Sequence, residues 1–145
     1  VIKDYTQIKE IIEESPDAII LYNNSNFIHP KILEEFVKKK IKLFFYLTDM
    51  EMITGGCHYN FECKNFKNNC QNCPATRLLL NKTAQRNLLL KKKYLYDKKI
   101  TFLVPNKKIH NDLIFSSIFN SKKHKVLKFY LSLDLKKYTQ KKSKI

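Results

Sequence analysis

Glycine is nearly missing from this chain: its 145 residues hold two, Gly55 and Gly56, side by side. Tryptophan is missing altogether, and arginine is confined to Arg77 and Arg86, so nearly all of the 28 basic residues are lysines. The shortage of arginine bears on function. The formal net charge is +15, and clustered cations bind nucleic acid by releasing counterions. Base-specific contacts, however, favour the planar, bidentate guanidinium, so the type of cation argues against nucleic acid. A solvated basic surface fits better, with attraction to an anionic membrane surface or a nucleotide-sugar as the next reading. No stretch approaches the ~20 apolar residues of a membrane span. The N-terminal stretch carries Asp4, Glu10, Glu13 and Glu14 in place of a basic-then-apolar secretion signal. A cytoplasmic protein is expected, with any membrane contact peripheral. The length suits one domain with a core, and the chain starts at Val1 as if processed or cut from a longer protein.

Apolar runs alternate with helical stripes. Asp4 can cap a first helix, with Gln7 at the capping-box position and Tyr5, Ile8, Ile11 and Ile12 as its stripe. Ala18 to Tyr22 is a continuous apolar run, suited to a strand buried on both faces. Pro30 fits a first helical position ahead of Ile32, Leu33, Phe36 and Val37. Further strands are expected near 42–47, 100–104 and 126–131. A long helix fits Arg77 to Asp97 with Thr76 as cap, and a short helix follows Pro105-Asn106. The Lys91-Lys92-Lys93 run reads as a solvated helix face. This alternation predicts an α/β domain with a parallel, Rossmann-like sheet, whose ligands sit beyond the carboxyl ends of the strands. Those ends are Asn23-Asn24, Thr48-Asp49, Pro105-Asn106 and Leu131-Ser132.

Between 48 and 75 the periodicity vanishes. This insert holds both glycines and all four cysteines, Cys57, Cys63, Cys70 and Cys73, spaced C-x5-C-x6-C-x2-C. Irregular segments of this length are usually functional or cross-linked. Four thiolates suit a tetrahedral structural zinc, with Cys70-x-x-Cys73 as its knuckle. Reduced thiols without metal and two disulfides are the other readings, the latter disfavoured in the cytoplasm. His58 is a substitute ligand on paper.

The run Leu47-Thr48-Asp49-Met50-Glu51-Met52-Ile53-Thr54-Gly55-Gly56-Cys57-His58-Tyr59 resembles a segment of family 4 glycosyltransferases, whose acceptor domain reads L-H-D-M-W-x-x-T-G-G-C-H-Y and continues to C-x-x-C-P. Cys63, Phe66, Cys70 and Cys73-Pro74 follow that continuation. Pro16-Asp17-Ala18-Ile19-Ile20, Tyr94-Leu95-Tyr96, Val104-Pro105-Asn106-Lys107 and Leu133 to Tyr138 resemble further family stretches. The glycine–cysteine segment is the specific part. The resemblance implies residues 1–134 as the later part of the N-terminal, acceptor-side Rossmann-like domain of a GT-B enzyme, with 135–145 starting the interdomain linker. It implies a retaining transfer of sugar from a nucleotide-sugar to a glycan or lipid-linked acceptor. The donor would be bound mainly by a second domain, with its E-x7-E carboxylate pair, that this sequence does not contain. The family's first strand and glycine-rich turn are likewise not in it.

Two departures stand out: the family's His is Thr48 and its Trp is Glu51. Tyr22 likewise replaces a frequent His. Threonine can donate a hydrogen bond but cannot act as an imidazole. Asp49 and Thr48 are the candidate catalytic residues, though Asp49 could equally cap backbone N–H groups. Gly55, Gly56, His58, Tyr59 and Asn106 are candidate acceptor-binding residues. Against that stand a positive-φ turn for the glycines, packing on the cysteines for His58 and Tyr59, and a helix cap for Asn106. A zinc-stapled basic module for RNA or an anionic surface, and a degenerate non-catalytic partner, are the alternative functions.

Overall fold

A computed structural model of the chain describes residues 5–22, 28–76 and 81–130. Helix α1 (Tyr5–Glu13) leads into β1 (Ala18–Tyr22), and α2 (Leu33–Lys38) into β2 (Lys42–Tyr46). The long irregular segment follows, then α3 (Asn81–Leu95), β3 (Ile100–Val104), α4 (Lys107–Phe115) and β4 (His124–Lys128). The strands form one four-stranded sheet in the order β1-β2-β3-β4, every pair parallel. The expected α/β class with a parallel sheet is therefore present.

The alternation of side chains along the strands sorts the sheet into two unlike faces. One carries Leu21, Leu43, Phe45, Ile100, Phe102 and Val104, all buried and joined in one core with Leu33, Phe36, Leu88, Leu95 and Leu113 of the helices. Burying a side chain of this size stabilises by about 1.5–3 kcal/mol. The other face leaves Ile20, Tyr22 and Leu127 exposed. This corrects the expectation that β1 is buried on both sides. It is an edge strand, and only Leu21 of its residues is fully buried.

Element positions differ from the sequence reading where tertiary contacts decide them. Pro30 opens a 3₁₀ turn, Pro30–Ile32, which precedes α2; there the His29 side chain accepts a hydrogen bond from the Lys31 N–H at 3.1 Å. β4 starts two residues early because His124 belongs to the core. Its Nε2 lies 3.0 Å from the Leu95 carbonyl and its Nδ1 accepts from the Asn120 N–H at 3.1 Å. Burial lowers the His124 pKa, against smaller opposing effects of the Leu95 carbonyl and Asp97. Helix α3 ends at Leu95 instead of Asp97. The Thr76 hydroxyl donates to the Cys73 carbonyl at 3.3 Å. The Asp4 cap, the strand ends at 23–24 and 131–132, and the linker at 135–145 lie outside the described residues. None of the described helices is long and apolar enough to cross a membrane.

The lysine run on α3 is not uniformly solvated. Lys91 is buried, on the same helical stripe as Ala84, Leu88 and Leu95. A buried ammonium needs several acceptors, and Nζ finds them in the irregular segment: the Glu51 carboxylate at 2.7 Å, the Glu51 carbonyl, and the Thr54 carbonyl at 3.1 Å. Glu51, the residue standing where the resemblance would have Trp, is thus the partner of a cation buried in α3.

Candidate functional site at the strand ends

The sheet hands its chain to the site at the end of β2. Leu47 continues the ladder by donating to the Leu103 carbonyl at 2.9 Å. Thr48 and Asp49 then leave the sheet half-buried. Asp49 Oδ1 accepts from the Glu51 N–H at 2.8 Å, and Oδ2 lies 2.7 Å from His58 Nδ1. The Met50 N–H donates to the His58 carbonyl at 3.0 Å, which ties the same two stretches through their backbones. One carboxylate oxygen of Asp49 therefore caps a turn, the capping reading of the sequence, and the other pairs with the His58 imidazole. The His58 side chain is 55% exposed and that of Asp49 23%. With Nδ1 committed to Asp49, Nε2 is the other ring nitrogen, and it has no hydrogen-bond partner among the described residues.

Local chemistry explains how the chain returns from Asp49 to His58. After the Glu51–Ile53 turn, buried Thr54 uses its hydroxyl as the hub of a tight reversal. Oγ1 accepts from the N–H groups of Gly56 at 3.2 Å and Cys57 at 2.9 Å, and donates to the Cys57 carbonyl at 3.0 Å. Gly55 is pressed onto α3: a Cβ there would stand 2.3 Å from the Ala84 carbonyl oxygen. Asn87 of the same helix donates to the Gly55 carbonyl at 3.3 Å. Gly56 sits at φ +129° with open space around it, a conformation that side chains rarely tolerate. So the room Gly55 leaves is taken by helix backbone, while Gly56 makes the turn.

A second strand end adds cations and donors. Asn106, after β3, caps α4 through Oδ1, which accepts from the Ile109 N–H at 2.9 Å. In the first turn of α4, Lys108 reaches back to the irregular segment. Its Nζ donates to Asn60 Oδ1 at 3.2 Å and pairs with Asp112 at 2.6 Å. Tyr59 is exposed, its ring turned away from the core. Tyr22 and Tyr46, the last residues of β1 and β2, stack at 5.7 Å, and Phe129 meets Tyr46 edge-on at 5.4 Å. A row of aromatic rings thus lies at the same end of the sheet as the Asp49–His58 pair. Lys108 and Asn60 were not singled out in the sequence, and Lys91 was read only as part of a solvated lysine run. For Lys91 a signal existed, because positions 84, 88, 91 and 95 form one helical stripe.

Behind the site the four cysteines gather. All are free thiols, and they line one pocket together with Thr54 and Phe66. Burial pushes the Cys57 thiol up to about 11, with Cys73, Cys70 and Cys63 acting in the same direction. Burial also raises Cys70, opposed by a backbone hydrogen bond from Gly55 and by the charge of Lys91. Among the described residues, no three His, Cys, Asp or Glu side chains stand in a ready metal-holding arrangement.

No family model, curated protein or solved structure matches this chain.

Proposed function

We propose that the C-terminal edge of this sheet is the acceptor side of a glycosyltransferase, with Asp49 and His58 as its working pair. The observation that carries the reading is the 2.7 Å contact between them at the end of β2, where open parallel sheets bind ligands. It joins the likeness of segment 47–59 to the family 4 enzymes. Asp49 fixes the imidazole so that Nε2 meets an acceptor hydroxyl. Thr48, the residue before Asp49, offers a hydroxyl, and Tyr22, Tyr59 and Phe129 offer ring faces to sugars. The acceptor oxygen bonds to the anomeric carbon as the bond from that carbon to the nucleoside diphosphate breaks. The electron pair leaves with the diphosphate, and the hydroxyl proton follows to the same oxygen, which retains configuration. Positioning of the hydroxyl is the contribution of this chain; the donor is held by a second domain of the full-length protein.

The test is release of nucleoside diphosphate by the full-length protein from a panel of nucleotide-sugars and glycan or lipid-linked acceptors. Asp49→Ala and His58→Ala should each lower kcat/KM by about 30- to 1000-fold, the equivalent of roughly 2–4 kcal/mol of lost transition-state stabilisation. The chain alone should turn over no nucleotide-sugar. Turnover untouched by both substitutions, with folding intact, would remove the strand end from the reaction centre. Turnover by the chain alone would refute the division of labour.

A further inference from the structure

We propose that Cys57, Cys63, Cys70 and Cys73 form a four-thiolate zinc site that clamps the irregular segment to α3 and, through Cys57, sets the neighbouring His58 against Asp49. This does not rest on the sugar-transfer reading.

Four observations carry it. The thiols come from positions spread over the segment, yet all border one pocket, and none is paired in a disulfide. Scattered structural cysteines would not converge in this way, whereas zinc requires four donors around a point at about 2.3 Å. The segment also has little else to hold it. Apart from short 3₁₀ turns at Glu51–Ile53 and Asn65–Lys67 it has no regular structure. Phe61, Cys70 and Asn72 all hold positive φ without being glycine, a cost that persists only where surroundings impose it. Third, the pocket is seated beside a buried cation of α3: Thr54, which lines it, accepts from Lys91 Nζ at 3.1 Å through its carbonyl. A zinc ion with four thiolates keeps two negative charges, and a buried ammonium nearby offsets part of them. Fourth, the ligand Cys57 is held by the Thr54 hydroxyl on one side and is followed directly by His58, whose carbonyl accepts from Met50. Fixing the Cys57 sulfur therefore fixes where the imidazole starts.

The experiment uses the unmodified chain, purified under reducing conditions without chelator. Elemental analysis should find one zinc per chain. Cobalt added after zinc removal should give the strong visible bands of tetrahedral cobalt–thiolate, and zinc should bleach them. His58→Gln should keep one zinc and the same cobalt spectrum; its loss would replace the four-thiolate set by one including the imidazole. Removing zinc should open Lys64 and Lys67, both exposed, to trypsin within minutes, read by mass spectrometry. A metal-free chain that develops no cobalt bands, or intact masses short of two or four hydrogens from disulfides, would overturn the site. Trypsin sensitivity at Lys64 and Lys67 unaltered by zinc would overturn the clamp.

Discussion

Lys91→Met is the substitution that most directly tests the internal chemistry of this fold. The ammonium makes three contacts, all to the segment it holds: the Glu51 carboxylate, the Glu51 carbonyl and the Thr54 carbonyl. Methionine fits the same shaft on the 84–88–91–95 stripe but leaves those oxygens without this donor. The side chains of Lys91 and Glu51 are 10% and 17% exposed, so water reaches the orphaned carboxylate poorly. Breaking one partner of a buried pair costs about 3–5 kcal/mol, a large part of the roughly 5–15 kcal/mol that holds a domain together. With a urea m-value of about 2 kcal/mol/M, the midpoint should fall by roughly 1.5–2.5 M at unchanged m. Glu51→Gln in the Lys91→Met background should recover part of the loss, because the buried charge is then gone. The assay is urea unfolding followed by far-UV circular dichroism. A midpoint within about 0.5 M of the unsubstituted chain, corresponding to about 1 kcal/mol, would show that the pair is solvated and the reasoning wrong.

Further outcomes follow from other parts of the molecule. Gly55→Ala should destabilise by about 1–3 kcal/mol through overpacking against the α3 backbone, and Gly56→Ala by a similar amount through its φ of +129° alone; thermal melts should show both. For His124 the folded pKa lies below the ordinary value through burial. The unfolded chain takes up its proton near pH ~6.5 and the folded chain only at lower pH. Stability should be full above that pH and decline as pH falls toward the folded value; His124→Gln should flatten this slope in denaturant titrations between pH 7 and 5. Thr48→His in the full-length protein should crowd the Asp49–His58 pair and reduce turnover. A gain in rate would show instead that Thr48 marks a degraded site and that His58 does not supply the working imidazole.

The strands at 18–22 and 100–104 were legible because a short apolar run rich in β-branched or aromatic residues suits a strand. β4 was displaced because a histidine reads as polar until its two nitrogens are seen to have partners at Asn120 and Leu95. The cysteine segment was legible as a unit by composition, but not in its interior. Nothing in residue order says that His58 turns to Asp49, or that Glu51 serves a lysine forty positions on. Those contacts depend on where an aperiodic backbone folds back, and only Gly56, Thr54 and the approach of Gly55 to Ala84 decide that. Lys91 was half-legible: its stripe position was visible, but the pull of an unbroken lysine run favoured solvent.

The strand order carries a consequence for assembly. Every strand pairs with its neighbour in the chain, so the sheet can grow unit by unit in the direction of synthesis. The gaps are unequal, however. β1 meets β2 across 23–41 and β3 meets β4 across 105–123, but β2 and β3 must close across 47–99. Closure entropy rises by roughly 0.6 kcal/mol for each doubling of a flexible loop, and the wide gap is filled largely by the aperiodic segment. Joining the two strand pairs should therefore be the slow step in folding. Any cross-link gathering 57 to 73 beforehand shortens the span to be searched, so the cysteine cluster would act first on the speed with which the two halves of the sheet find each other.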